Sequence, residues 1–165
     1  VDVRRFGGIW IFSEEELKAF WLEKGLGPEV YPLQQDGLWW RDQFVRIKAP
    51  IKNALIRQNC VAGLGNICAS EICFRAQVAP TRSTHQLNGA EWSAISNAAA
   101  DYLTAIIAEE SGREIQYVTQ GGQLPKAFLV YGRAGEPCCR CQHAIARIVQ
   151  AGRATFYCEQ CTPTH

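Results

Sequence analysis

Four cysteines near the carboxyl end of this 165-residue chain have the spacing of a metal site. Cys138, Cys141, Cys158 and Cys161 form two Cys-x-x-Cys pairs with sixteen residues between them. Tetrahedral Zn²⁺ takes four thiolate ligands, and a hairpin that brings two such pairs together supplies them. Because four thiolates leave no coordination position for water, the ion would be structural rather than catalytic. The spacing therefore predicts one structural zinc ion.

Disulfide bonds and buried free thiols are the two other uses of these residues. Eight cysteines could form a secreted disulfide scaffold, but such scaffolds occur in chains too small to build a core, and 47% of these residues are hydrophobic. A hairpin this small has too little core to fold unaided, which favours zinc. Cys139 is predicted to be a bystander beside the ligands, and apolar surroundings predict small core residues at Cys60, Cys68 and Cys73.

A second group of polar residues could bind an anion. The stretch "IKNALIRQNCVAGLGNICASE" (51 to 71) predicts two helices joined by a tight glycine turn, with Asn66 at the start of the second helix. The N–H groups and dipole of that helix end favour an anion, which Lys52 could reach from the first helix. Arg153 lies in the predicted hairpin turn between the cysteine pairs, and its guanidinium suits phosphate. An ordinary helix connection and an ordinary surface arginine are the alternatives.

The charge distribution is compatible with a polyanion partner. The net charge is only +1, but the carboxyl-terminal part of the chain is basic. From residue 118 onward there are only two acidic residues, Glu136 and Glu159. The same stretch contains five basic residues: Lys126, Arg133, Arg140, Arg147 and Arg153. A solvated basic face explains the same pattern equally well, so charge alone does not decide between them.

The sequence gives no sign of a membrane segment. Its apolar stretches are interrupted before the roughly 18 residues that a membrane-spanning helix needs. The amino-terminal "VDVRRFGG" lacks the apolar stretch of a signal peptide. We therefore expect an intracellular chain with no membrane partner.

The elements that must position these residues are mainly helical. Ser13 and Glu16 predict a capping box at the start of a helix over "EEELKAFWLEK", after a short strand "GGIWIF" (7 to 12) and before a Gly/Pro-rich linker (25 to 37). Further helices are predicted over 38 to 58 with a break at Pro50, over 66 to 76, and over 88 to 112 with a cap at Asn88. Two short strands, "AIARIV" and "ATFY", are predicted between the cysteine pairs.

Taken together, these motifs resemble the formamidopyrimidine-DNA glycosylases, bacterial enzymes that excise oxidised purines. The stretches "IKNALIRQNCVAGLGNICASE", "VYGRAGEPCCRC" and "AGRATFYCEQC" are similar to that family's helix-two-turn-helix and zinc finger. "DVRRFGGIWIF" is similar to its "D-P-R-R-F-G" stretch, and "LGPE" to the segment leading out of its amino-terminal domain. The resemblance thus covers essentially the whole chain.

The resemblance implies a fold that is mainly α with a small β zinc finger. A helix-two-turn-helix domain over 37 to 125 would be followed by a four-cysteine zinc-ribbon hairpin over 126 to 165. Residues 1 to 36 would be a remnant strand, helix and linker of a β-sandwich domain. The implied location is the cytoplasm of a bacterium, at the nucleoid.

The resemblance also implies DNA contacts for five residues. Lys52 and Asn66 match residues that hold phosphates flanking the lesion, and Arg153 matches an arginine that does so from the finger tip. Arg4 matches an arginine that pairs with the orphaned cytosine after the damaged nucleotide is flipped out, and Phe6 a phenylalanine that wedges into the stack. Such contacts offset the cost of unstacking. The implied partner is double-stranded DNA containing oxidised bases.

Two departures from the family pattern bear on activity. The family's proline nucleophile, the glutamate after it and a catalytic lysine all precede the "RRFG" stretch, where this chain begins. We therefore assign no catalytic residue, interpret Glu14 and Glu71 as structural, and expect the chain alone to be inactive. An amino-terminal piece or a second copy of the chain is a candidate partner for the strand at 7 to 12. The loop "TQGGQLPKAF" is also shorter than the loop that covers 8-oxoguanine in many family members.

Four functions remain open from the sequence. The first is the damaged-DNA-binding portion of a DNA glycosylase and abasic-site lyase for oxidised purines such as 8-oxoguanine and formamidopyrimidines. The others are a noncatalytic zinc-dependent DNA-binding module, a zinc-stabilised protein-interaction module, and a member of the related endonuclease VIII branch that acts on oxidised pyrimidines. The stretch "AGRATFYC" favours the purine branch.

Overall fold

The computed structural model describes residues 10–31, 36–111 and 125–164. Within these ranges the fold is mainly α with one small β hairpin, and this confirms the predicted fold class. The elements in chain order are α1 (Glu14–Lys24), α2 (Gly37–Phe44), α3 (Ile51–Leu55), α4 (Asn66–Arg75), a short 3-10 helix (Thr84–Gln86), α5 (Gly89–Glu110), β1 (Ala146–Gln150) and β2 (Arg153–Tyr157).

Two of the helices begin at the predicted capping boxes. At the start of α1, the Ser13 hydroxyl accepts a hydrogen bond from the Glu16 N–H at 3.3 Å, and the Glu16 carboxylate accepts from the Ser13 N–H at 2.8 Å. The hydrogen bond from the Ser13 N–H, and after it a second one that the Ser13 hydroxyl donates to the same carboxylate at 2.9 Å, lower the pKa of Glu16. Asn88 and Glu91 form the same reciprocal pair at the start of α5. The caps satisfy N–H groups that have no partner within a helix.

The helix predicted over 38 to 58 is divided into α2 and α3. The residues between them, 45 to 49, lie outside both helices, and this connection is paired with the loop before α5 through the Thr84 N–H, which donates to the Ala49 carbonyl at 3.0 Å. The Ile51 N–H then donates to the carbonyl of Arg82 at 2.7 Å, which ties the start of α3 to the loop before α5. The prediction of a break at Pro50 is confirmed, and the helical content on either side is lower than predicted.

The main core lies between α2 and α5. The rings of Trp40 and Phe44 lie 6.3 Å apart, and those of Phe44 and Trp92 lie 5.8 Å apart in a nearly parallel stack. Gly37 permits this close approach, because a Cβ at that position would lie 2.6 Å from the backbone nitrogen of Ser93. All three aromatic side chains are buried, so this stack fixes the helical domain that carries α3 and α4.

The turn between α3 and α4 is held by one glutamine. The Gln58 side chain accepts a hydrogen bond from the Gly63 N–H at 3.0 Å and donates to the Leu64 carbonyl at 2.7 Å. Gly63 has φ of 98°, a conformation that favours glycine, whereas Gly65 is extended with φ of −99°. The predicted glycine turn is therefore present, and only its first glycine is required by backbone conformation.

The finger has a second, smaller core. Strands β1 and β2 pair in antiparallel fashion, with Gln150 opposite Arg153. Ala151 and Gly152, which join them, both have positive φ, as expected for a two-residue hairpin turn. The buried side chains of this core come from α4, from the segment before the first cysteine pair and from the finger itself: Phe74, Val130, Cys138, Ile145, Phe156 and Cys158.

The amino-terminal part of the described chain presents an apolar surface to solvent. Trp10, Ile11 and Leu22 are 65%, 96% and 84% exposed. Residues 10 to 12 of the predicted strand are not in a strand, because no partner strand lies beside them in the described ranges; residues 7 to 9 lie outside those ranges. None of the helices that the structure describes is long and apolar enough to cross a membrane.

Candidate metal centre and nucleic-acid interface

The four predicted zinc ligands converge in the finger. Their Sγ atoms all lie within 4.8 Å of one another, with Cys138 and Cys161 at 3.8 Å and Cys141 and Cys158 at 3.4 Å. Four thiolates around Zn²⁺ with metal–sulfur bonds of about 2.3 Å lie about 3.8 Å apart at the corners of a tetrahedron. The donor set and its spacing therefore fit one zinc ion.

The backbone of the first cysteine pair favours a thiolate. Burial acts to raise the pKa of Cys138, but hydrogen bonds from the backbone N–H groups of Arg140 and Cys141, and from the thiols of Cys158 and Cys161, lower this pKa to about 7. The Arg140 N–H lies 3.4 Å from the Cys138 sulfur. Such N–H groups stabilise thiolate ligands, the form that binds zinc.

The other cysteines lie apart from this centre. Cys139 is exposed between two ligands, as predicted for a bystander. Cys60 and Cys73 are buried in the helical domain, and Cys68 is partly buried against the same core, as predicted. Burial raises the pKa of Cys73 to about 12, so its thiol stays protonated and behaves as a small apolar side chain.

The structure brings Lys52, Asn66 and Arg153 to one place. The Lys52 ammonium donates a hydrogen bond to the Asn66 side-chain oxygen, so the first turn of α3 is joined to the start of α4. The Asn66 amide nitrogen in turn donates to the carbonyl of Ala154 in β2 at 2.9 Å. Arg153, the residue before Ala154, is exposed at the hairpin turn. Two helices and the finger tip thus meet at Asn66.

Lys52 lies beneath this surface rather than on it. Its side chain is fully buried, and this burial, together with the nearby charge of Arg153, lowers its pKa, while Cys73 acts in the opposite direction. The hydrogen bond from Lys52 orients the Asn66 amide so that its oxygen points inward and its N–H₂ group points toward the finger. Gly65, the residue before α4, offers no side-chain cap to the first N–H groups of this helix.

A buried carboxylate, Glu71, joins α4 to the finger. The sequence did not reveal this contact. Glu71 is fully buried, and it accepts hydrogen bonds from three consecutive backbone N–H groups, at 2.9 Å from Leu129, 3.0 Å from Val130 and 2.8 Å from Tyr131. The available signal was its position on the apolar side of α4, one turn after Ile67. Its partners are about 60 residues away, and no local pattern specifies them.

Arg140 makes a further connection at the other end of α4. Its guanidinium donates to the carbonyls of Phe74 at 3.0 Å and Arg75 at 3.4 Å, and it lies 4.5 Å from the centre of the Phe74 ring. These carbonyls belong to the last turn of the helix, which a cation stabilises. Because Arg140 lies between Cys138 and Cys141, it joins the metal centre directly to α4.

Comparison with known proteins agrees with this geometry. Residues 26–117 match the family model described as the formamidopyrimidine-DNA glycosylase H2TH domain, where H2TH stands for helix-two-turn-helix. The chain belongs to this family. Residues 135–163 match a second model, the zinc finger found in FPG and IleRS, and this confirms the predicted zinc finger and its single structural zinc ion.

The relatives that this chain matches are named formamidopyrimidine-DNA glycosylases. The chain is 41% identical to the formamidopyrimidine-DNA glycosylase of Rhodospirillum centenum, over 95% of its own length and 57% of the relative's. It is 37% identical to the enzyme of Sphingopyxis alaskensis, over 97% of its own length and 60% of the relative's. The chain therefore spans about 60% of the length of the curated relatives that it matches.

Solved structures of the family have the same fold. The Lactococcus lactis Fpg in complex with DNA containing an abasic site superposes with a TM-score of 0.85 at 31% identity, over 98% of this chain and 60% of that one. MutM in complex with DNA containing carbocyclic 8-oxo-G gives a TM-score of 0.84, also at 31% identity and with the same coverage. Arg4 and Phe6, the two remaining predicted DNA contacts, lie outside the described residues.

Proposed function

We propose that this chain is the damaged-DNA-binding portion of a DNA glycosylase and abasic-site lyase that acts on oxidised purines. The observation that carries this proposal is the convergence of Lys52, Asn66 and Arg153 from two helices and the finger tip. Burying a lysine charge costs folding free energy unless the charge is paired. Here Lys52 lies behind an exposed arginine and a helix end whose N–H groups have no side-chain cap. Such a concentration of donors and positive charge suits a DNA phosphate.

Each of the three residues has a separate task in this proposal. Arg153 donates to phosphate oxygens from the finger tip, since its planar guanidinium matches their geometry. Asn66 donates the amide hydrogen that is not bonded to Ala154 and, with the first turn of α4, holds a phosphate at the helix amino end. Lys52 keeps the Asn66 amide oriented and adds positive charge from below. These contacts fix the position of the duplex without reading its sequence.

Arg4 and Phe6 are proposed to fill the space that the damaged nucleotide leaves when it is flipped out. By their match to the family motif, Arg4 would pair with the orphaned cytosine and Phe6 would wedge into the base stack. Related solved complexes contain DNA with an abasic site or an oxidised guanine analogue, which supports a damaged duplex as the ligand. Replacing Phe6 with Ala should reduce the preference for damaged over intact duplex while leaving the phosphate contacts in place.

The experiment that tests this function is a titration of the chain against a duplex containing 8-oxoguanine and the matched intact duplex at several salt concentrations. We expect tighter binding to the damaged duplex and a steep decrease in affinity with salt. Arg153→Ala should weaken binding to both duplexes and reduce the salt slope by about one unit. Arg147→Ala is the matched control, because Arg147 is exposed on β1 of the same hairpin.

The outcomes separate the competing functions. A noncatalytic DNA-binding module would bind both duplexes equally. A protein-interaction module would show no salt-dependent affinity for either duplex. Preference for a duplex with an oxidised pyrimidine over 8-oxoguanine would place the chain in the endonuclease VIII branch instead.

A further inference from the structure

The Glu71 carboxylate joins α4, the helix that begins at Asn66, to the segment that leads into the finger. Both of its oxygens are engaged by the backbone N–H groups of residues 129 to 131, and the side chain has no exposure to solvent. It follows Asn66 by five residues in the same helix, a rise of about 7.5 Å along the helix axis. Glu71 therefore cannot contact DNA itself.

A continuous set of contacts leads from Glu71 to the finger tip. The Tyr131 N–H donates to Glu71 at 2.8 Å, and the Tyr131 hydroxyl lies 3.5 Å from the Asn66 amide nitrogen. The Tyr131 ring also packs edge-on against Phe156 in β2, with ring centroids 4.9 Å apart. Strand β2 begins at Arg153 and is bonded to Asn66 through Ala154, so the segment held by Glu71 packs against both partners of that bond.

We propose that Glu71 is a positioning residue for DNA binding, which holds the finger so that Arg153 stands over Asn66 before DNA arrives. This inference rests on the proposed phosphate contacts of Arg153 and Asn66. Hydrogen bonds to an ionised acceptor are about twice as strong as neutral ones, and three of them converge here. A site arranged in advance loses less conformational entropy on binding, which increases affinity without any new contact.

A carboxylate elsewhere in the chain provides a matched control. Glu109 on α5 accepts hydrogen bonds from the N–H groups of Lys126 at 2.8 Å and Ala127 at 3.0 Å. It therefore fixes the beginning of the same segment by the same chemistry, but its partners precede the part that contacts Asn66 and β2. An effect that is specific to positioning should appear with Glu71 and not with Glu109.

The test is to replace Glu71 with Gln, which keeps the shape of the side chain but turns an NH₂ group toward at least one N–H donor. Each variant is measured for zinc content, for amide hydrogen exchange without DNA, and for affinity to the 8-oxoguanine duplex at several salt concentrations. For Glu71→Gln we expect one zinc ion per chain, faster exchange at residues 129 to 131 and at the start of β2, and about tenfold weaker binding. The salt slope should fall by about one unit, as for Arg153→Ala.

Combining the two substitutions provides the decisive comparison. If Glu71 acts through Arg153, the double variant Glu71→Gln, Arg153→Ala should bind no more weakly than Arg153→Ala alone. Glu109→Gln should keep the wild-type slope. The inference is overturned if the two substitutions cause additive losses of DNA affinity, or if Glu71→Gln binds more weakly with an unchanged salt slope. Either result would mean that Glu71 only stabilises the fold.

Two further outcomes are distinguishable. If Glu71→Gln does not fold, Glu71→Asp retains the charge with a shorter reach, and wild-type exchange and binding in that variant would also overturn the inference. If the wild-type chain shows no salt-dependent DNA affinity, the proposed function fails instead. The exchange measurement without DNA still decides whether Glu71 holds β2 in place.

Discussion

At the scale of single residues, the buried ammonium of Lys52 should make the proposed DNA binding dependent on pH. Burial lowers the pKa of Lys52, so it loses its proton at a lower pH than an exposed lysine does. A phosphate favours the protonated form. Affinity should therefore be highest below the folded pKa of Lys52 and should decrease as pH rises through it.

Substitution of this lysine checks the assignment of that pH dependence. Lys52→Met fills a similar volume without a titratable group, so its DNA affinity should be lower than that of wild type and nearly flat over the same alkaline range. Fluorescence anisotropy with the intact duplex, measured at constant ionic strength, gives both curves. The assignment is wrong if the variant retains the alkaline decrease.

At the scale of elements, the finger should depend on its metal while the helices do not. Metal binding and folding are a single equilibrium in such a hairpin, worth roughly 10 kcal/mol or more. The stack of Trp40, Phe44 and Trp92 lies wholly within the helical domain, so a chelator should unfold residues from about 130 onward and leave α2 and α5 intact. Elemental analysis and amide hydrogen exchange with and without chelator test this expectation. The absence of zinc in freshly purified protein would contradict it.

Acidification should release the metal in the same way. The ligands bind as thiolates, so protons compete with zinc as pH falls. Cys158→Ser should shift zinc release to higher pH, whereas Cys139→Ser should leave it unchanged because that thiol lies outside the cluster. A chromogenic zinc indicator measured across a pH series reports the midpoint. Equal midpoints for the two variants would refute the ligand assignment.

Elements that depend on nearby residues were predictable from the sequence, and contacts between distant residues were not. The caps of α1 and α5 each involve residues three apart, and the turn at Ala151 and Gly152 involves adjacent residues. The spacing of the cysteines likewise predicted that the four sulfur atoms would lie together. In contrast, the bonds from Glu71 to residues 129 to 131 and the bond from Asn66 to Ala154 join elements that are far apart in the chain. The extent of α2 and α3 was also overestimated, since the close packing of loops around Pro50 competes with local helix propensity.

At the scale of the whole molecule, the apolar surface around α1 should promote association. Trp10, Trp21 and Leu22 are at least half exposed, and exposed apolar surfaces of this kind usually mark an interface. We expect the average mass in sedimentation velocity to increase with concentration, and Trp21→Glu to reduce this increase. A strictly monomeric mass at every concentration would leave an amino-terminal piece, rather than a second copy of the chain, as the proposed partner.

The chain by itself is expected to bind DNA without forming a covalent intermediate. The family's chemistry uses an amine of lowered pKa that attacks the sugar and forms a Schiff base. Among the described residues, Lys52 has such an amine, but it is buried and bonded to Asn66, so it cannot reach a sugar carbon. Borohydride trapping with a duplex containing an abasic site should yield no adduct. A trapped adduct would show that an amine of this chain is catalytic.

The distribution of tryptophans also gives this molecule a built-in optical marker. Trp40 and Trp92 lie in the dry interior between α2 and α5, Trp10 and Trp21 face water, and the described finger residues include no tryptophan. Indole emission moves to longer wavelength in water, so one emission spectrum contains a blue component from the interior and a red component from Trp10 and Trp21 around α1, with half-buried Trp39 of α2 contributing between them. Loss of the metal should leave the blue component unchanged, and burial of α1 in a partner should shift the red one. Each event is thus visible in solution without a label.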